Sequence, residues 1–130
     1  MTPNVSKTVN IDYEEAVRQA REALAANGFG ILTEIDVKAT LKEKIGVDFQ
    51  RYVILGACVP TLAHRAMTAV PEVGVFLPCN VVVRETGEGE CRIDAVNARS
   101  MSTMLPGSDE LEQVAEEVAG RLDAVLKAIG

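Results

Sequence analysis

Two segments of this chain are apolar at both phases of strand alternation, and they constrain the fold more than any other feature. Residues 52–55 are Tyr-Val-Ile-Leu, and residues 81–83 are three consecutive valines. A sheet that is covered by helices on only one face shows polar residues on the other face. These strands therefore predict that the second face is also covered, either by another subunit or because it lines a cavity.

The remaining elements are predicted from the periodicity of apolar residues and from the Gly, Pro and capping residues that begin or end helices and strands. Strands are predicted over residues 5–10, 29–35, 51–58, 75–77, 79–85 and 91–96. Helices are predicted over residues 13–26, 37–45, 60–69 and 109–129. Asp12, Asp36 and either Ser108 or Asp109 are the predicted N-caps of three of these helices. The pattern predicts one α+β domain over residues 1–130, with a largely antiparallel sheet and helices packed on one face.

Composition excludes several classes of function. The net charge of -6 argues against a nucleic-acid partner, because binding to a phosphate backbone requires a cationic surface. No apolar run approaches the length needed to span a membrane, and the first ten residues lack the apolar core of a secretory signal. Three cysteines without a CxxC spacing fit reduced thiols. We therefore expect a cytoplasmic protein with no nucleic-acid and no membrane partner.

Four residues are candidates for a ligand-binding site: Cys58, His64, Cys79 and Asn80. Cys58 ends a strand just before a predicted helix, whose N-terminus can lower a thiol pKa. Cys79 follows Pro78, which breaks strand pairing and can expose a neighbouring thiol. Because free cysteine is usually a buried apolar filler, packing is the simpler interpretation of both thiols, and of Cys91.

The chain connectivity predicts that Cys79 and His64 border one pocket, since sequential elements are usually adjacent in space. The set Cys58, His64 and Cys79 provides only three zinc ligands, so no metal site is predicted. No cofactor can be assigned from these residues.

Four blocks of the sequence resemble the family known as domain of unknown function 302. The blocks are Phe29-Gly-Ile-Leu-Thr-Glu-Ile-Asp, Tyr52-Val-Ile-Leu-Gly-Ala-Cys, Pro60-Thr-Leu-Ala-His-Arg-Ala and Leu77-Pro-Cys-Asn-Val-Val-Val. The resemblance extends over nearly the whole chain. It implies a β-α-β(4)-α fold with a tendency to dimerise, and it implies no established activity. Val59 replaces the asparagine of the family pattern before Pro60 and cannot act as a side-chain cap.

Three functions remain open. The doubly apolar strands favour a non-enzymatic, homodimeric module that binds a cofactor or another small ligand, such as a small apolar molecule. A thiol-dependent redox enzyme or sensor that uses Cys58 or Cys79 is the second hypothesis. The third is a structural partner module without a ligand.

Overall fold

The computed structural model describes residues 2–130 and contains five strands and five α-helices. The strands are β1 (Asn4–Val9), β2 (Gly30–Asp36), β3 (Tyr52–Cys58), β4 (Cys79–Gly87) and β5 (Glu90–Val96). The helices are α1 (Tyr13–Ala26), α2 (Val37–Ile45), α3 (Pro60–Ala69), α4 (Ser100–Met104) and α5 (Asp109–Ala128). None of the described helices is long and apolar enough to cross a membrane.

All five strands form one sheet in the order β1-β5-β4-β3-β2, and every neighbouring pair is antiparallel. One face carries a buried core in which Val53, Leu55 and Val81 pack with residues of α1, α3 and α5. The opposite face, here called the open face, is not part of this core. The predicted α+β class, the antiparallel sheet and the packing of helices on one face are confirmed.

The two long helices form where the sequence supplies both a cap and an apolar stripe. The Asp12 side chain accepts a hydrogen bond from the Glu15 amide at the start of α1, and Ser108 caps α5 through the Leu111 amide. The predicted stripe of α5 and of the residue that follows it is buried throughout: Leu111, Val114, Ala115, Val118, Leu122, Val125 and Ile129. Burial of this stripe against the sheet holds α5 in place.

The prediction of a strand over residues 75–77 is wrong. Pro71–Phe76 form a 3-10 helix, and Leu77 follows it in an extended conformation. Of the residues in this segment, Val73 is buried whereas Val75 is 81% exposed. The apolar run suggested a strand, but Pro71 at the first turn starts a short helix that directs one valine inwards.

Helix α2 differs from α1, α3 and α5 in that none of its residues is buried. Its ends are well defined: Asp36 caps it through the Ala39 amide, and Gly46 ends it in the left-handed conformation. It connects β2, at the edge of the sheet, to β3. Strand β2, helix α2 and the loop after α2 carry five exposed apolar residues: Leu32, Ile35, Ile45, Val47 and Phe49. These five residues are called the edge patch below.

Candidate functional site

The four residues predicted from the sequence do not form one site. Cys58 and Cys79 lie on neighbouring strands and line the same small cavity in the core, between β3, α3 and α5. His64 lies on the exposed side of α3 and is not among the residues that line this cavity. Asn80 follows Cys79 in β4, so its side chain points to the other face of the sheet and lines a separate groove there. The structure therefore separates Cys79 from both His64 and Asn80.

The core cavity is too small for a ligand. It offers about 20 Å³, room for roughly one water molecule, and its lining is almost entirely apolar. Small-molecule sites are usually about 300–1,000 Å³. The cavity is thus a packing gap beside two thiols.

Burial raises the thiol pKa values in this region. Cys79 is only 4% exposed, and burial, reinforced by the nearby Cys58, raises its pKa to about 11. Burial also raises the pKa of Cys58. This is the opposite of the lowered pKa that a position before a helix N-terminus predicts for Cys58. Neither thiol has the low pKa that activates a cysteine nucleophile.

A groove that combines apolar and polar lining lies on the open face, above β1, β5, β4 and β3. It offers about 590 Å³ and is broadly open to solvent. It is lined by Asn4, Tyr52, Asn80, Val82, Arg84, Arg92, Asp94, Ala95 and Val96. Among the four residues predicted from the sequence, only Asn80 belongs to it.

Strand register arranges the groove residues in rows that run across the sheet. In one row Tyr52 pairs with Arg84, and Arg84 pairs with Arg92. In the next row Val82 lies between Ile54 on β3 and Asp94 on β5. In these two rows the charged residues therefore lie on β4 and β5, whereas the apolar residues Val82 and Ile54 lie on β4 and β3.

Asp94 is the centre of a hydrogen-bond network in this groove. Its Oδ1 accepts hydrogen bonds from Asn4 Nδ2 at 3.0 Å, from Arg92 Nε at 3.4 Å and from the Ser6 hydroxyl. Its Oδ2 accepts a hydrogen bond from Arg84 Nε at 3.3 Å. Burial alone would raise the pKa of Asp94, but the hydrogen bonds from Ser6, Arg84 and Arg92 outweigh it and lower the pKa. The carboxylate is therefore charged, and it holds both arginines.

Several polar groups of the groove have no partner within the described residues. Arg84 and Arg92 donate to Asp94 through Nε, and their Nη groups make no hydrogen bond to a described residue. The same holds for the Tyr52 hydroxyl and the Asn80 side-chain amide, so the groove presents donors to solvent. In residues 2–130 no group of three or more His, Cys, Asp or Glu side chains is arranged to hold a metal ion.

Arg84, Arg92 and Asp94 were missed as site residues in the sequence. Their alternation phase was a usable signal, because each is polar where the core-facing neighbours in its strand are apolar. That signal places them on the open face, but it cannot pair Arg84 with Arg92. The pairing depends on the register between β4 and β5.

The fold and the groove define an α+β domain with a five-stranded antiparallel sheet, helices on one face and an open second face. The chain belongs to the Domain of unknown function DUF302 family, which matches residues 5–129. It is similar to an uncharacterized conserved DUF302 protein from Bacillus stearothermophilus, known from a crystal structure, with 30% sequence identity and a TM-score of 0.89 over 100% of both chains. No curated protein matches the chain. The resemblance found in the sequence is thereby confirmed.

Proposed function

We propose that this protein is a homodimeric module that binds a small ligand in the groove on the open face. The observation that supports this most is the groove itself. Its volume of about 590 Å³ is typical of ligand sites, and it combines apolar walls with polar groups that lack protein partners. Val82 and Val96 supply apolar surface, while Asn80 and Tyr52 supply polar groups.

The thiol-dependent alternative has less support. The raised pKa values of Cys58 and Cys79 disfavour the thiolate form, and Cys79 is buried beside a cavity that holds no substrate-sized space. Cys58, Cys79 and Cys91 are all free thiols. Free thiols suit a reducing compartment, which supports a cytoplasmic location as part of the proposal.

The edge patch supports the homodimer. Five large apolar side chains between residues 32 and 49 are exposed on an edge strand, a helix and the loop that follows it. Exposed apolar residues that cluster in this way usually mark an interface.

The direct test of ligand binding is native mass spectrometry, with an absorption spectrum, of the protein purified from its own host. We expect a retained small molecule in the wild type. Val82→Phe should remove it by filling the groove, since Val82 lies at its centre. Val75→Phe is the matched control, because Val75 is exposed and lies outside the groove.

Each result of this experiment separates the hypotheses. Retention in the wild type and in Val75→Phe, with loss in Val82→Phe, supports the groove as the site. Retention in all three proteins would place the ligand elsewhere. A wild-type protein without a retained molecule, in a preparation that is dimeric, would favour the structural partner module instead.

A further inference from the structure

We infer that the groove takes a small molecule that combines an oxyanion with a short apolar body, and that Arg84 and Arg92 bind the oxyanion. This inference rests on the proposed function and specifies the chemical class of its ligand. The argument depends on three features of the open face: the pairing of the two arginines, the role of Asp94 and the position of the apolar surface.

Arg84 and Arg92 are directly opposite each other on β4 and β5. Like charges in this position destabilise a sheet. Asp94 is the one carboxylate in the groove lining, so the cluster of three side chains keeps one net positive charge. An oxyanion bound between the two guanidinium groups would neutralise this charge.

Asp94 occupies only part of the hydrogen-bonding capacity of the two arginines. It accepts from Nε of each, at 3.3 Å and 3.4 Å, which leaves the Nη groups free of partners among the described residues. A guanidinium group has five N–H donors in a rigid fork that matches a carboxylate or a phosphate. Asp94 is therefore a positioning residue, which fixes the arginines while their outer donors stay available.

The Asp94 carboxylate does not itself prevent an anion from binding. Its side chain is 20% exposed, and four donors from Asn4, Ser6, Arg84 and Arg92 occupy its oxygens. The ligand would meet the outer edges of the guanidinium groups. Because the whole chain is negative, binding must depend on these short-range hydrogen bonds rather than on long-range attraction.

Apolar surface lies beside the arginines on the side of β3. Tyr52 pairs with Arg84, and Val82 of β4 lies in the next row beside Ile54. An oxyanion held by the arginines would therefore place an attached apolar group on Val82 and against the Tyr52 ring. This geometry favours a ligand with both parts over an inorganic anion.

The experiment is an NMR titration of the ¹⁵N-labelled full chain with four probes: benzoate, phenyl phosphate, inorganic phosphate and benzyl alcohol. We expect benzoate or phenyl phosphate to shift the amide signals of Val82, Asp94 and Val96 and the Nε–Hε signals of Arg84 and Arg92. Whichever of these two probes binds more tightly identifies the oxyanion as a carboxylate or a phosphate. Inorganic phosphate and benzyl alcohol, which each lack one part, should bind at least about tenfold more weakly.

Variants test the individual residues. Arg84→Gln and Arg92→Gln should each weaken binding of the preferred probe by about tenfold or more, the scale of one hydrogen bond to a charged group. Arg65→Gln is the control, because Arg65 is an exposed arginine on α3 that pairs with Glu110 away from the groove. In Asp94→Asn the Nε–Hε signals of both arginines should move even without a probe, and binding should weaken.

Opposite results would overturn the inference. Tighter binding in Asp94→Asn would show that Asp94 only repels the anion. Equal binding of benzyl alcohol would remove the oxyanion from the ligand class while leaving the groove as the site. If no probe shifts the groove signals, the inference fails, and the retained molecule in native mass spectrometry decides separately whether the proposed function also fails.

Discussion

Gly56 lies in the middle of β3 on the open face, where two other residues cover it. A β-carbon at this position would lie 2.8 Å from Pro78 Cγ and in closer contact with the Thr33 hydroxyl oxygen. Pro78 and Thr33 thus occupy the space that a side chain would need. The glycine is required here by close packing, and its backbone conformation is an ordinary one for a strand.

Gly56→Ala should therefore destabilise the protein by about 1–3 kcal/mol, the usual range for overpacking. The measurement is urea denaturation, in which the midpoint should fall at similar slope. Gly120→Ala is the matched control. A β-carbon at Gly120 meets nothing within 4 Å, so alanine should stabilise helix α5 by about 0.5–1 kcal/mol. Equal stability of Gly56→Ala and the wild type would mean that Thr33 and Pro78 yield freely.

The ionisation of Cys79 should lower the stability of the protein at alkaline pH. Its folded-state pKa of about 11 lies above the ordinary thiol value of about 8.5 expected for the unfolded chain. Below about pH 8.5 the Cys79 thiol is protonated in both the folded and the unfolded chain, and its full contribution to stability is present. That contribution is lost as the pH rises through about 11. Urea denaturation of Cys79→Ala from about pH 7 to about pH 11 should show a shallower alkaline decline than the wild type. Identical pH dependence in the two proteins would contradict the raised pKa.

At the scale of elements, helix α5 anchors the layer of helices on the sheet. Leu122 is central in its buried stripe and is 1% exposed. Leu122→Ala should destabilise the protein by about 2–5 kcal/mol, because it leaves a cavity in the core. Met104→Ala is the control: Met104 is also large and apolar but is 65% exposed, so the change should be within about 0.5 kcal/mol. Urea midpoints measure both, and a small effect at Leu122 would mean that α5 is loosely packed.

Elements were predictable from the sequence where two local signals agreed. Helix α1 has Asp12 as its cap and an apolar stripe, and its predicted range matches the structure. The segment 75–77 had only an apolar run, and the prediction failed there because the fold buries Val73 and exposes Val75. Local pattern cannot distinguish such a segment from a strand, since tertiary packing decides which side chain turns inwards.

At the scale of the whole molecule, the open face has two halves of different character. Asp94, Arg84 and Arg92 lie towards β5, whereas Ile54 and Ile35 lie towards the edge strand β2. The apolar residues at both phases of β3 are visible in the sequence, and the covering of the second face that they predict stays a prediction. The charged half is not predictable from the sequence, because two strands contribute to it and their register is a property of the assembled sheet.

The edge patch is where a second copy of the chain should bind, and this gives the last prediction. Ile45, the last residue of α2, is 67% exposed. We expect sedimentation equilibrium to show a wild-type dimer at low micromolar concentration. Ile45→Glu should raise the dissociation constant by at least about tenfold, because the new carboxylate would be desolvated in the interface. Val75→Glu, at an apolar residue that is 81% exposed outside the edge patch, should leave the dimer unchanged. A monomeric wild type would refute the dimer, whereas loss of the dimer in Val75→Glu alone would move the interface to the surface around Val75.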